Sequence, residues 1–334
     1  MTMRYLGSKT LLLEQIYDLI KEYREGIFCD PFGGIGTVGS YMKKKDFHVI
    51  TGDILNFAHF FQYTLIERSA ESDFTKLYQA LQINSKEQFE NLMNRSVVND
   101  GWLIKEYSEQ RRFFTKDNAK RIQGCINLIQ EWYSEELITD NGRKVLVASL
   151  INSFDKVANT AGTYYGYLKQ FDRRALKEFR FAMLPVARGK TSYSLKADAI
   201  ELVSNCKCDV LYLDPPYNER NYARYYHLPE TIAAGVVPVP SGKSGVFRLE
   251  GEKTSEYNKK NHALEAFKEL IDHADAKCII FHYTDYGLIR IEDAQKVLSS
   301  YGTVEKECYF NSKGYSTSSH ERKENKHHII KVCR

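Results

Sequence analysis

The stretch VLYLDPPY, residues 210–217, sets an aspartate, two prolines and a tyrosine directly after an apolar run that reads as a buried strand. Strand carboxyl ends are where an open α/β sheet exposes its chemistry, so Asp214, Pro215, Pro216 and Tyr217 are expected to line a crevice. Each proline fixes φ and lacks an N–H, and Pro215 also holds Asp214 extended. Such a cluster is stiff, rich in hydrogen-bond acceptors and poor in donors. Its chemical complement carries two N–H donors on one atom, attached to a flat ring that can stack on Tyr217. The exocyclic amine of adenine has that form. Acceptors at Asp214 and a proline carbonyl favour a pyramidal nitrogen, which frees the lone pair to attack an electrophilic carbon placed in line. A base in duplex DNA must first leave the stack, and Tyr217 offers the face that replaces the lost stacking. The exocyclic amine of cytosine presents the same donors, so both bases remain open. No step of this chemistry needs a metal.

A second constellation lies near the start. DPFGGIGTVG, residues 30–39, follows the short apolar run Ile27 to Cys29 and contains GxGxxG as GIGTVG, with Asp53 seventeen residues beyond Gly36 at the end of the next predicted strand. Glycines there let backbone approach a ligand, and a carboxylate after the second strand can accept both hydrogen bonds of a ribose diol. NAD, FAD and S-adenosylmethionine all carry an adenosine and all satisfy this pattern. Nucleoside triphosphates fit less well, because GSKT at Gly7, GKTS at Gly189 and GKS at Gly242 each lack the earlier glycine of a phosphate loop.

The elements that must position these residues alternate. A helix over Leu12 to Ile20, the strand to Cys29, a helix over Val38 to Lys44 and a strand from Phe47 toward Asp53 form a βαβ pattern. From about Phe57 to Phe181 the periodicity is mainly helical, with polar breaks at Asn99-Asp100-Gly101 and Asp140-Asn141-Gly142. Alternation resumes with VLYLD, the helix NHALEAFKELIDHA, the strand KCIIFHY and the helix IEDAQKVLSS. The last two strand-like runs, TVEKECYF and HHIIKVC, have no helix between them and should pair antiparallel. The fold class is therefore α/β: a doubly wound, Rossmann-like sheet with an antiparallel C-terminal strand pair and a helical insertion. We divide the chain into a catalytic domain of residues 1–58 and 185–334 and an inserted, mainly helical domain of residues 59–184.

The chain of 334 residues is 43% hydrophobic, enough for about two folding units. No apolar run reaches the length of a membrane span and the start lacks a signal-peptide core, so a cytoplasmic location and no membrane partner are expected. Seven cysteines occur without a CxxC pair; Cys206 and Cys208 come nearest but lack flanking ligands in the sequence, so no metal site is expected. The net charge of +4 is mild, but Lys169, Arg173, Arg174, Lys177, Arg180, Arg188 and Lys190 face only Asp172 and Glu178 in their segment. That excess suits phosphate contacts, or else a solvated helix face.

With these residues identified, the chain resembles the S-adenosylmethionine-dependent adenine-N6 DNA methyltransferases. RYLGSK, residues 4–9, resembles that family's opening cofactor motif, DPFGGIGT its FxGxG as Phe32, Gly34 and Gly36, and DPPY its catalytic motif. The resemblance implies that Tyr5, Lys9, Asp30, Phe32, Gly34, Gly36, Asp53, Asp198 and Asp214 contact the cofactor, with Lys9 on the methionine carboxylate, Asp53 on the ribose and Asp198 beside the adenine. An aspartate opening a helix also reads as an N-cap, and Asp198 fits both descriptions. The insertion then stands where the family carries DNA recognition, with NSFDKVANTAGTYYGYLKQF, residues 152–171, and Lys169, Arg173, Arg174 and Lys177 as its DNA-contacting surface. The polar, basic stretch after Tyr217 is expected to be a long loop that orders on DNA. Double-stranded DNA is the implied partner, a cognate restriction endonuclease a possible one. Cytosine-N4 methylation, and a non-catalytic methyltransferase-like DNA-binding protein, are the alternatives.

Overall fold

The computed structural model describes residues 3–68, 74–251, 254–313 and 324–334. The chain divides into two compact units, one of Lys9–Ile54, Arg188–Asn221 and Lys253–Arg334, the other of Met1–Ser8, Leu55–Ala187 and Tyr222–Glu252. The sequence reading drew its insertion at 59–184; the second unit also takes in the first eight residues and most of the stretch after Tyr217.

The first unit is built on seven strands: β1 (Ile27–Asp30), β2 (His48–Asp53), β3 (Tyr193–Lys196), β4 (Lys207–Leu213), β5 (Asp275–Thr284), β6 (Thr303–Lys313) and β7 (Glu324–Cys333). They run in the order β3-β2-β1-β4-β5-β7-β6. β1 to β5 are parallel; β7 lies antiparallel to both β5 and β6. The expected α/β sheet with its antiparallel C-terminal pair is therefore present. Sequence periodicity missed β3, because as an edge strand it leaves Tyr193 57% and Leu195 43% exposed and so lacks the apolar signature of a covered strand.

Burial explains the central strands. Phe28 on β1 packs 5.9 Å from both Phe47 and Tyr212, measured between ring centres, and all three are essentially inaccessible. Each such ring contributes about 1.5–3 kcal/mol by leaving water. At the amino ends of the strands Asp209 ties three of them together, accepting from the Ile27 N–H at 2.7 Å and pairing with Lys277 at 2.6 Å. Gly26 is needed beside it: a Cβ there would stand 2.4 Å from the Asp209 carboxylate. Helices at Thr37–Lys44, Ala199–Ser204, Ala263–Asp272 and Ile291–Tyr301 supply the crossovers and cover the sheet.

The second unit is mainly helical, with long helices at Lys116–Ser134 and Asp140–Asp155. Thr115 and Thr139 cap them, their hydroxyls accepting from the N–H groups of Asn118 and Gly142. Asp140-Asn141-Gly142 was read as a break; it is instead the first turn of a helix whose cap is Thr139, and the break lies just before it. The stretch after Tyr217 also departs from the expected loop, since helices occupy Tyr222–Tyr225 and His227–Ala234 and Tyr226 is fully buried. Its apolar positions Ala223, Tyr226, Leu228, Ile232 and Ala233 are the reason. Among the described residues no helix is long and apolar enough to cross a membrane.

One buried carboxylate organises this unit. Asp155 accepts from the Arg4 backbone at 3.0 Å, from its guanidinium at 3.1 and 3.0 Å, and from the Tyr164 hydroxyl at 3.1 Å. Arg4 also donates to the Thr160 carbonyl at 3.0 Å, so residues 155–164 are fastened to the first residues of the chain. Asp155→Asn leaves the guanidinium without its bidentate anion. It should lower stability by about 2–3 kcal/mol, at the low end for a buried pair because Arg4 keeps some solvent contact, as read by chemical denaturation. An unchanged midpoint would refute this role.

Candidate active site

The sheet order reverses between β1 and β4: β1, β2 and β3 progress to one side, β4 and β5 to the other. Ligands of open parallel sheets bind outside the strand carboxyl ends at such a switch point. Asp30 ends β1 there, and Asp214 follows β4 in the neighbouring position.

Asp214 is held by Lys9, whose ammonium lies 2.5 Å from Oδ2. Lys9 is 7% exposed and Asp214 19%, so the pair is largely withdrawn from water while the carboxylate keeps an open side. Burial pushes the Asp214 carboxyl above its usual range, and the Lys9 ammonium pulls it back. After the two prolines, the Tyr217 ring packs on the apolar core of the sheet and its carbonyl accepts from the Leu288 N–H at 3.1 Å. The chain beyond is fixed by Asn258, whose side-chain amide donates to the Asn218 and Arg220 carbonyls at 2.7 and 3.1 Å.

Asp30 is 2% exposed. Burial raises its carboxyl to about 8, with the negative charges of Asp214 and Asp53 adding to the rise; the Phe32 N–H and Lys9 act in the opposite sense without reversing it. Its Oδ1 has no hydrogen-bond partner among the described residues. The loop after it turns through Gly34 at φ 52° and Gly36 at φ 75°, left-handed values that exclude most side chains, and Gly36 opens the helix Thr37–Lys44. Asp53, at the end of β2, accepts from the Gly34 N–H at 3.1 Å, which couples the glycine loop to the next strand.

Phe32 packs edge-on against Tyr257, ring centres 4.9 Å apart, and Tyr257 in turn feels the charge of Asp198. Asp198 is the N-cap of the helix Ala199–Ser204, accepting from the Ile200 N–H at 3.1 Å. The structure thus brings Lys9, Asp30, Phe32, Gly34, Gly36, Asp53, Asp198 and Asp214 to Tyr217 into one unit. Tyr5 belongs to the other unit, where it stacks on Tyr226 at 5.0 Å and meets Phe57 and Tyr222.

Sequence reasoning missed the Lys9–Asp214 pair, Tyr257, Asn258 and a histidine pair. His282, on β5, sits 3.3 Å from the Tyr212 hydroxyl and 3.3 Å from His327 on β7. Burial and the nearby Lys9 charge hold His282 well below its usual range and His327 at about 4. The signal for His282 was its place as the penultimate residue of the KCIIFHY run.

In the second unit Lys169, Arg173 and Lys177 are exposed. Arg174 is partly buried and donates to the Thr160 carbonyl at 3.1 Å, so it braces the segment. The basic stretch is irregular backbone with no helix from Lys156 to Ser192, so the reading as a solvated helix face is set aside.

The family profile described as D12 class N6 adenine-specific DNA methyltransferase matches residues 5–326. The type II methyltransferase M.FokI of Planomicrobium okeanokoites is 35% identical over 315 residues, 91% of this chain and 48% of that protein. Modification methylase StsI of Streptococcus sanguinis is 32% identical, over 90% of this chain and 46% of that protein. The chain spans about half the length of these two relatives. The type II methyltransferase M.NlaIII of Neisseria lactamica is 30% identical, over 90% of this chain and 89% of its own length.

The Asp30 carboxyl sets a pH dependence. Its native form holds a proton up to about pH 8, whereas the unfolded carboxyl releases it near 3.8, so the native state binds more protons in that interval. Stability contributed by the buried acid is therefore present at low pH and is lost as pH rises toward 8. The wild-type melting temperature should fall from pH 5 to pH 8, and Asp30→Asn should fall less. Equal declines would remove Asp30 as the source.

Proposed function

We propose a reaction from the premise that fixes its class: the chain belongs to the D12 class of N6 adenine-specific DNA methyltransferases. Its substrate is the exocyclic N6 of an adenine extruded from double-stranded DNA, and its methyl donor is S-adenosylmethionine. The observation that carries this reading is the partly open Asp214 carboxylate, set on a Pro-Pro-Tyr step beside Asp30 and the glycine loop.

The residues fit that donor. Asp30 presents a buried oxygen without a partner, suited to an ammonium, and Gly34 and Gly36 keep the loop free of side chains where a ligand backbone would lie. Asp53 offers acceptor capacity for a ribose diol, and Phe32 with Tyr257 an aromatic wall near Asp198 for an adenine ring. Lys9 is matched to a carboxylate, the role expected from the resemblance. In the structure it holds Asp214, so it also anchors the catalytic acceptor. When bound, S-adenosylmethionine supplies a methyl group on a positively charged sulfur.

Asp214 and the Pro215 carbonyl then accept hydrogen bonds from the two N6–H groups, holding the nitrogen lone pair toward that methyl. Lys9 keeps one Asp214 oxygen fixed, leaving the other for the amine. Tyr217 stacks on the base, and Pro216 keeps the step between them rigid. The proton lost after transfer leaves through Asp214, whose raised carboxyl makes it a better acceptor than an exposed aspartate. The exposed Lys169, Arg173 and Lys177 contact DNA phosphates, with Arg174 and the 152–171 segment shaping that surface. The setting is cytoplasmic restriction-modification, with a cognate endonuclease of the same specificity as partner.

Three variants test this. Asp214→Ala should lower methyl transfer to adenine by about 100-fold or more per folded molecule, while Asp53→Ala weakens S-adenosylmethionine binding by about tenfold with DNA affinity retained. Near-normal turnover of the first variant, scored as N6-methyladenine in digested DNA, would overturn the chemistry. Arg173→Ala should weaken DNA binding uniformly across sequences and reduce the salt slope of log K by about 1. An unaltered slope would remove that residue from the phosphate contacts.

A further inference from the structure

Three thiols, one of them far from the other two in the sequence, meet in the sheet unit. Cys29 is the third residue of β1, Cys208 the second of β4, and Cys206 stands at the corner between the helix Ala199–Ser204 and β4. Their sulfurs lie within 4.8 Å of one another. All three are free thiols in an apolar pocket whose other members include Ala199, Leu202, Val203 and Leu211. The sequence hid the cluster, because Cys29 stands 177 positions before Cys206 and reaches it only through the parallel pairing of β1 with β4.

We propose that Cys29, Cys206 and Cys208 form a binding site for a thiophilic divalent ion of the zinc and cadmium class, which clamps β1 to β4. An ion bonded to three sulfurs at about 2.3 Å needs them roughly 4 Å apart, near the spacing within 4.8 Å that the cluster already has. The donor set is entirely sulfur, which selects against magnesium and calcium. Cys206 is 9% exposed and provides the way in. Asp209, whose charge reaches Cys208, is already paired with Lys277. Neutrality in the pocket is reached when a divalent ion displaces two thiol protons to solvent and the third sulfur coordinates as a thiol, with no change of oxidation state. Such an ion joins the two strands that end in Asp30 and precede Asp214, and it binds the folded chain alone.

The test uses cadmium added to the reduced full chain, followed by the ultraviolet sulfur-to-cadmium absorption, the melting temperature and alkylation mapped by mass spectrometry. The expected result is one ion per chain, a raised melting temperature, and protection confined to Cys29, Cys206 and Cys208. Cys206→Ser/Cys208→Ser should weaken binding by about 100-fold or more and abolish the thermal shift, while Cys278→Ser/Cys333→Ser retains both. Protection of other cysteines, retention of the band in the first variant, or its loss in the second would overturn the proposal. So would cadmium binding to the wild type that leaves those three thiols open to alkylation, a readout that needs no variant to fold.

Discussion

Two carboxylates at the ends of adjacent strands share one ammonium, and the rest of the sheet unit is arranged around that imbalance. Asp30 and Asp214 cannot both be ionised cheaply when buried near each other, and Lys9 lies directly on Asp214. Asp214 therefore takes the cation, and Asp30 keeps its proton to about pH 8. The result is an asymmetric pair: one carboxylate oriented and charged, the other neutral with an oxygen that has no partner. A cationic ligand beside Asp30 would displace that proton and pair with the carboxylate in its place. The unliganded protein thus holds, next to a charged pair, a buried acid whose proton a cation can replace.

Topology sets the two carboxylates side by side. Strands β1, β2 and β3 are laid to one side and β4 and β5 to the other, so the ends of β1 and β4 face the crevice without a crossover helix between them. Gly34 and Gly36 turn the chain away from the end of β1, and the prolines stiffen it after β4. Both devices keep backbone and side chains out of one volume. Asp53 and Asp209 act at opposite ends of the sheet, the first tying the glycine loop to β2 and the second tying β1, β4 and β5 at their amino ends. The placement of Asp30 beside Asp214 consequently rests on the parallel pairing of β1 with β4.

What the sequence made legible follows from this division. Asp30, Gly34, Gly36, Asp53 and Asp214 were readable because each sits at a fixed offset from a strand, and strand ends are local features of hydrophobic pattern. The partner of Lys9 was not readable: Lys9 and Asp214 meet through the fold, and a lysine in GSK carries no sign of which anion it will find. Cys29 and Cys206 escaped for the same reason. β3 was lost because an edge strand needs no apolar alternation, and the helices at Tyr222–Tyr225 and His227–Ala234 because the polar residues flanking them suggested loop. Asp140-Asn141-Gly142 misled because turn-forming residues are also tolerated in a first helical turn once Thr139 supplies the cap.

The histidines behind the site bear on the same electrostatics. His282 and His327 contact each other at 3.3 Å, and burial together with the Lys9 charge keeps both imidazoles neutral in the physiological range. A protonated imidazole there would be a second cation near Lys9. Because both rings are held uncharged, Lys9 remains the cation paired with Asp214 in this corner. Their place beneath the site makes them part of its electrostatic design even though no step of the proposed transfer passes through them.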